Sequence, residues 1–434
     1  MASTYLTRTP GTGQTSRTKG TLSVWLKRAK TDEEDFIFYG FESSSNRIKI
    51  TFLPSGKLQI NSVQSGSNHL VYETNRLFRD TSAWYHIVIA IDTTLATAGD
   101  RCRLYVNGVE ETSFSTETHF SQNDLHFLTE DNRTIYIGSQ GTGNYFDGSM
   151  SHYHLIDGTQ YQASDFGEYD ANGVWKIKTS PSVTYGNHGF FILKDGNSVT
   201  DQSGQSNNLT VGGGTLTNTE DCPSNVFATM NPLVPTSSLN FSNGNTTLTG
   251  TNATNYSSNN TSTLGASSGK YYFEIEYDTA GSNVSPSVGI SPISISPTTN
   301  PTAAVTDFIV ITMQNQIYVE GTNSASYLGS TPTTGDIIQI ALDMDNGKVF
   351  FGLNGTFVGD PVAGTGGAFS GITSGETIAL NIRPLNAVFK CNFGNGYFGT
   401  TAVASAGTNA SGIGIFEYDV PTGFTALSTK GLNL

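Results

Sequence analysis

Charge is the scarcest commodity in this sequence: Asp, Glu, Lys and Arg make up 13% of 434 residues, about half the usual share. The charge present is biased to one sign, with a net of −14. Up to residue 220 there are 17 basic and 23 acidic residues, and after it 5 and 13. Neither half carries the basic footprint that phosphate backbones require, so nucleic acid is excluded as a partner. Only three cysteines occur, Cys102, Cys222 and Cys391, far apart and at no metal or redox spacing; they are expected to be buried free thiols. No run of about 20 apolar residues is present to span a membrane. The first 20 residues lack the apolar core of a secretory signal, so no export route is expected. Histidine is missing after residue 188, which leaves the second half unable to build a Ser-His-Asp triad by itself. There is no G-x-S-x-G, no H-E-x-x-H and no phosphate-cradling glycine loop.

What the chain does have is aromatics, 11% with 25 Phe and 19 Tyr, and 48 glycines. Disorder needs few aromatics and low hydrophobicity, so the chain should fold. Short apolar or alternating runs recur between clusters of Gly, Asn, Asp, Ser and Pro, which predicts many strands joined by turns. Examples are Leu22–Leu26, Ile48–Leu53, Trp84–Ile91, Arg103–Val106, Thr134–Ile137, Gly189–Leu193, Lys270–Asp278, Phe308–Met313, Ile378–Ile382 and Val388–Phe393. Asn107-Gly108 supplies the positive φ values of a tight hairpin. In Asp336–Asp345 the residues Ile338, Ile340, Leu342 and Met344 share one face and Gln339, Ala341, Asp343 and Asp345 the other, a half-buried antiparallel strand. Asn346-Gly347 and Asn354-Gly355, eight residues apart, predict a meander. One helical turn is expected near Ala163–Phe166. A stretch with three consecutive glycines and three prolines marks a boundary. The expected organisation is all-β, two tandem antiparallel β-sandwiches: residues 1–215, a linker over 216–235, and residues 236–434.

Three constellations could carry chemistry. Glu274, Glu276 and Asp278 lie two apart on one strand and so share a face, near the carboxyl spacing of a retaining glycosidase. With Tyr271, Phe273, Ile275 and Tyr277 facing the core, the simpler expectation is that the acids decorate the solvent side. His152 and His154, with Asp147 and Asp157 nearby, could mimic a metal site; with Tyr153 and Leu155 on the core face, both histidines are expected in solvent. Asp92, Asp100, Asp147 and Asp157 could offer oxygens to calcium, but no spacing forms a complete loop. No cofactor, metal or enzymatic activity is therefore expected. The third feature is a set of aromatics in polar loops: Tyr145, Tyr161, Tyr256, Tyr318, Tyr327 and Tyr397. Flat aromatic faces stack on sugar C–H groups while amides and carboxylates bond the hydroxyls, so these six are the candidate ligand contacts.

Several blocks carry resemblances. The strand Lys270–Asp278 superficially resembles the Glu-Ile-Asp-x-x-Glu signature of laminarinase-type glucanases, with Glu in the middle position and the last carboxylate one position early. The block FRDTSAWYHIVIAIDTTLATAGDRCRLYVNGVEETSF, with YFDGSMSHYHLIDGTQ and DQSGQSNNLTV downstream, resembles a laminin-G-like, concanavalin A-type jelly roll over roughly residues 1–215. SGKYYFEIE, VGIS, GDIIQIALDMDNGKVFFGLNG, VFKCNFG and FEYDVPTGFTALS, in that order, resemble a SPRY domain over roughly 236–434. The tandem, opened by YLTRTP and joined by CPSNVFATMNP, is similar to virion-associated proteins of marine tailed phages.

That resemblance implies a virion surface protein, a tail fibre or appendage, assembled in the host cytoplasm and released by lysis. Its implied partners are other virion subunits, a host-surface glycan and further copies of itself, a trimer among the possible states. The competing expectations are a capsid decoration or cement protein and, third, a polysaccharide-degrading enzyme using Glu274, Glu276 or Asp278.

Overall fold

The computed structural model describes residues 3–434 apart from 142, 195–197, 235–237, 253–257 and 282–284. The chain divides into two compact units, residues 1–218 and 219–434, and each is nearly all β.

In the first unit an antiparallel eight-stranded sheet runs in the order Phe114–Thr118, Ser67–Leu77, Lys57–Gln64, Asn46–Phe52, Asp35–Ser43, Thr134–Ile137, Tyr5–Arg8 and Thr210–Gly213. A six-stranded sheet runs Phe190–Ile192, Gly148–Asp157, Lys19–Arg28, Tyr85–Asp92, Cys102–Val106 and Val109–Glu110. Alternate residues of both sheets meet in one core, among them Leu22, Val24, Phe38, Ile50, Ile60, Tyr72, Ile89, Leu104, Ile135 and Tyr153. This is the packing of two sheets through their inner faces that alternation dictates. The Asn107-Gly108 turn forms as expected, with φ of +49° and +83°.

The two outer faces differ. That of the six-stranded sheet is covered: Val88, Ala90, Tyr105, Ile156 and Phe191 pack under Ala163, Phe166 and Tyr185. This explains why Lys19–Arg28 is buried on both sides. The anticipated helical turn, Ala163–Phe166, belongs to this cover. No such second cluster forms, among the described residues, outside the eight-stranded sheet.

The second unit places the strands Leu239–Ser242, Thr247–Gly250, Val388–Asn392, Lys270–Thr279, Ile337–Asp343, Lys348–Leu353 and Thr356–Phe357 in one sheet, with Phe369–Ser370 and Thr425–Ala426 paired beside this path. The second sheet runs Asn260–Thr261, Ile378–Arg383, Ser287–Pro292, Ile309–Thr312, Gln316–Val319 and Thr322–Ala325. Ile338, Ile340, Leu342 and Met344 line the core with Tyr271, Phe273, Ile275 and Tyr277, as their alternation requires.

Three expectations need correction, while the expected meander forms with one of its turns longer than two residues. The face bearing Gln339, Ala341 and Asp343 is buried, not half-open, because Phe416, Val420 and Phe424 fold back over it. The segment 216–235 is not a free linker: Phe227, Ala228 and Met230 are buried in the second unit. Asn354-Gly355 forms a two-residue turn with φ of +46° and +86°. The strands flanking Asn346-Gly347 instead end at the pair Asp343 and Lys348, so four residues intervene, capped by Asn346 N–H donating to Asp343 Oδ1 at 3.0 Å. Finally, Cys102 and Cys391 are buried free thiols, but Cys222 is only partly buried.

Candidate functional site

Tyrosines stand on the open face of the eight-stranded sheet at positions where alternation would place polar residues. In Thr134–Ile137, Ile135 and Ile137 enter the core, which sends Tyr136 outward. Tyr136 lies directly opposite Tyr39 on one neighbour and Thr7 on the other. Tyr5, two residues from Thr7, shares that side. Phe41 lies two residues from Tyr39, with their rings stacked at 5.3 Å. A register shift between Phe36 and Phe38 restores Phe36 to the same side, 5.6 Å edge-on from Tyr39. That bulge is what allows residues three apart to share one face.

The rings then form a row. Tyr39 to Tyr136 is 6.3 Å, Tyr136 to Tyr5 is 6.1 Å, and Tyr5 to Tyr145 is 6.1 Å, all tilted by 33° to 47°. Tyr5 can lie flat at the sheet edge because its neighbours lack side chains: a Cβ on Gly212 would stand 2.2 Å from Tyr5 Cε2. The last ring arrives on the loop after Ile137, closed by Phe146 N–H donating to the carbonyl of Gly138 at 2.9 Å. Phe146 packs against the core, and Tyr145 is left outside, half-buried. The same loop brings two amides, Asn144 Nδ2 donating to Gln140 Oε1 at 2.9 Å. Burial raises the pKa of the Tyr39 hydroxyl, opposed by the side chain of Gln140 and by the charge of Arg47, so both groups lie close to this ring. The arrangement offers aromatic faces, amide donors and acceptors, and cations on one solvent-facing surface.

Of the six tyrosines named from the sequence, Tyr145 alone joins this row. Tyr161 packs into the cover of the six-stranded sheet, its hydroxyl accepting from Thr184 N–H at 2.9 Å. Tyr318 sits half-buried on a strand opposite Val310 and Asn323. Tyr327 packs edge-on against Phe351, and burial pushes its hydroxyl up to about 12. Tyr397 pairs with Ala402 in a short hairpin. Tyr256 lies outside the described residues. Of the tyrosines that sequence reasoning missed, Tyr136 was legible as a large aromatic at an outward position of the expected strand Thr134–Ile137, whereas Tyr5 and Tyr39 lie in strands not among those expected, Tyr5–Arg8 and Asp35–Ser43.

Residues 2–163 match the sequence profile described as the concanavalin A-like lectin/glucanases superfamily, and residues 270–395 match that of the SPRY domain. The chain is a concanavalin A-like domain followed by a SPRY domain. Similar solved structures include the SPRY domain of human HERC1, 18% identical over 37% of this chain and 96% of that one, with a TM-score of 0.30. Others are the heptameric SAP-like pentraxin of Limulus polyphemus, 15% identical over 37% and 78%, TM-score 0.26, and Domain 4 of AbnA, a GH43 extracellular arabinanase from Geobacillus stearothermophilus solved with arabinotriose. The last is 20% identical over 34% and 64%, TM-score 0.24. No curated protein matches. The two folds together suggest carbohydrate or protein binding.

In the SPRY domain one of the three strand carboxylates departs from the expected solvent side, while Glu276 and Asp278 are half-exposed. Glu274 is fully buried. Its Oε1 accepts from Tyr272 Oη and Tyr418 N–H, each at 2.9 Å, and its Oε2 from Glu417 N–H at 2.9 Å and Asn392 Nδ2 at 3.2 Å. Burial pushes this carboxyl up to about 7 against those four donors. Glu276 and Asp278 share Lys390, the first at 3.4 Å. Glu274 thus anchors the returning C-terminal segment, with no acceptor capacity facing solvent.

The histidine pair of the concanavalin A-like domain also departs from expectation. Tyr153 and Leu155 do face the core, but His154 is 2% exposed, stacked on Phe191 at 4.0 Å and bonded through Nδ1 to Tyr185 Oη at 2.9 Å. His152 is half-buried at a bulge with φ of +48°. The covering segment 158–185, with Phe191 of the neighbouring strand, is the reason neither is free in solvent. Nor do the four aspartates converge. Asp92 holds Thr94 and Lys19, Asp100 holds Arg103, Asp147 holds Lys30, and Asp157 accepts from the N–H groups of Thr15, Ser16 and His188. Among the described residues no group of three or more His, Cys, Asp or Glu could hold a metal ion.

Proposed function

We propose that this chain is a virion surface protein of a tailed phage, a tail fibre or appendage, that adheres to host-surface glycans through its concanavalin A-like domain and performs no catalysis. The observation that carries the binding part is the row Tyr39, Tyr136, Tyr5 and Tyr145 on an uncovered sheet face. Tyr39 is buried at the base of the row, 6% exposed, while Tyr136, Tyr5 and Tyr145 are half-buried with part of each ring left to solvent, which stacking on sugar C–H faces would use. Gln140 and Asn144 supply hydrogen bonds of the kind sugar hydroxyls accept and donate. The virion setting rests on the tandem order of the two domains and on YLTRTP and CPSNVFATMNP. Copies assembled side by side would repeat the row and raise weak single-site affinity by avidity.

A glycan array probed with the full chain tests the binding part. Retention on a defined set of glycans, weakened about tenfold or more by Tyr136→Ala, is the expected result. Failure of every glycan to bind, or binding indifferent to Tyr136 and Tyr5, overturns it. Electron microscopy of particles carrying the labelled chain tests the setting: label on the tail supports attachment, and label on the capsid lattice supports the cement role instead.

A further inference from the structure

We infer that the tyrosine row selects an acidic glycan, with Arg47 receiving the carboxylate of a uronic acid unit beside sugars stacked on Tyr136 and Tyr5; this deepens, and rests on, the glycan-binding reading. The other arginine side chains of the concanavalin A-like domain all have partners. Arg8 bonds Asn207, Arg17 Glu130, Arg28 Asp35, Arg76 Glu111, Arg79 the carbonyl of Ser55, Arg101 that of Phe120, Arg103 Asp100 and Arg133 Glu42. Arg47 is the arginine whose side chain makes no hydrogen bond or ion pair among the described residues. In a domain where every other arginine side chain has a partner, an arginine left with none is out of pattern.

Its position is equally specific. Arg47 lies directly opposite Phe41 on the neighbouring strand, and Ile48 beside it enters the core, so Arg47 stands on the same outer face as the row. Its charge acts on the Tyr39 hydroxyl. The next cation along that strand, Lys49, is already engaged by Glu34 at 3.2 Å and lies over the Phe36 ring at 5.9 Å. One unengaged guanidinium therefore stands at the Phe41 end of the row, on a half-buried residue. A planar fork of N–H donors matches a carboxylate in two parallel hydrogen bonds, which a lysine cannot reproduce. A single such cation in a domain of net negative charge fits one acidic sugar per site among neutral ones, rather than a dense polyanion, which that net charge disfavours.

The test is affinity electrophoresis of the full chain through gels containing polygalacturonate, alginate, carboxyl-reduced polygalacturonate or a sulfated galactan. The expected result is retardation by a uronate polymer, weakened about tenfold when its carboxyls are reduced. Arg47→Gln should abolish that difference, leaving both forms equally weak, while Arg79→Gln, at an exposed site away from the row, changes nothing. Tyr136→Ala should weaken both. Equal retardation by the native and reduced polymers, unaffected by Arg47→Gln but lost in Tyr136→Ala, overturns the uronate inference and leaves glycan binding standing. Preference for the sulfated polymer alone overturns the carboxylate assignment. No retardation by any polymer overturns the glycan reading itself.

Discussion

Glu274 illustrates how much one buried residue can decide. Four donors converge on its carboxylate, two of them backbone N–H groups of the returning segment. Truncation by Glu274→Ala strands those donors, and the SPRY domain should lose about 3 kcal/mol or more in denaturant unfolding. Its pH dependence has a definite sign. The folded value, about 7, lies above the ordinary 4.5, so the native state holds the proton more tightly than the unfolded chain. This contribution is full below about 4.5 and is lost as pH rises towards 7, roughly 3 kcal/mol in all. Glu274→Gln should flatten that slope between pH 5 and 7; an unchanged slope would assign it to other groups. The sequence disclosed the strand and its core side, Tyr271 to Tyr277. It could not disclose the burial of Glu274, because the covering residues lie some 140 positions later in the chain.

At the scale of elements, the edge strand Thr210–Gly213 matters for what it lacks. Three consecutive glycines read in sequence as a break, yet Gly213 pairs with Tyr5 and Gly212 lies at the register shift beside it, and both make room for the Tyr5 ring. The φ of Gly212 is not positive, so Gly212→Ala introduces a steric conflict with Tyr5 and no backbone strain. It should displace one ring of the row, cost about 1–3 kcal/mol through overpacking, and weaken glycan binding while Tyr136 stays in place. Binding at full strength in a folded Gly212→Ala variant would remove Tyr5 from the site. Strand periodicity and Asn-Gly turns were readable from local sequence because alternation and positive φ are local properties. The row was not, because it joins residues 5, 39, 136 and 145, which meet only through strand order. Attention to aromatics in loops found Tyr145 and passed over the outward tyrosines of strands.

For the whole molecule, the two domains should answer acid in opposite ways. His86, His126 and His154 of the concanavalin A-like domain are buried, which holds them neutral: His86 falls to about 3, His126 to about 4 and His154 well below its ordinary value. Their contribution is full above the unfolded value near 6.5 and is lost as pH falls below it, about 2 kcal/mol per histidine by pH 5. Asp35, raised to about 6 by burial despite Arg28, opposes this in part. The SPRY domain has no histidine and gains from Glu274 over the same range. All three tryptophans, Trp25, Trp84 and Trp175, lie before residue 218, so tryptophan fluorescence reports the first domain alone. Between pH 7 and pH 5 the fluorescence transition should move to lower temperature and the remaining transition, followed by circular dichroism, to higher. Parallel movement would contradict the assignment.

The central claim is that the open face of the eight-stranded sheet is a glycan-binding surface, and hydrogen exchange with and without a bound polysaccharide tests it most directly. The account predicts slowed exchange in Tyr5–Arg8, Asp35–Ser43, Thr134–Ile137 and the loop bearing Tyr145, with the cover of the six-stranded sheet unchanged. Protection confined to the SPRY domain, or to residues 158–191, would contradict it.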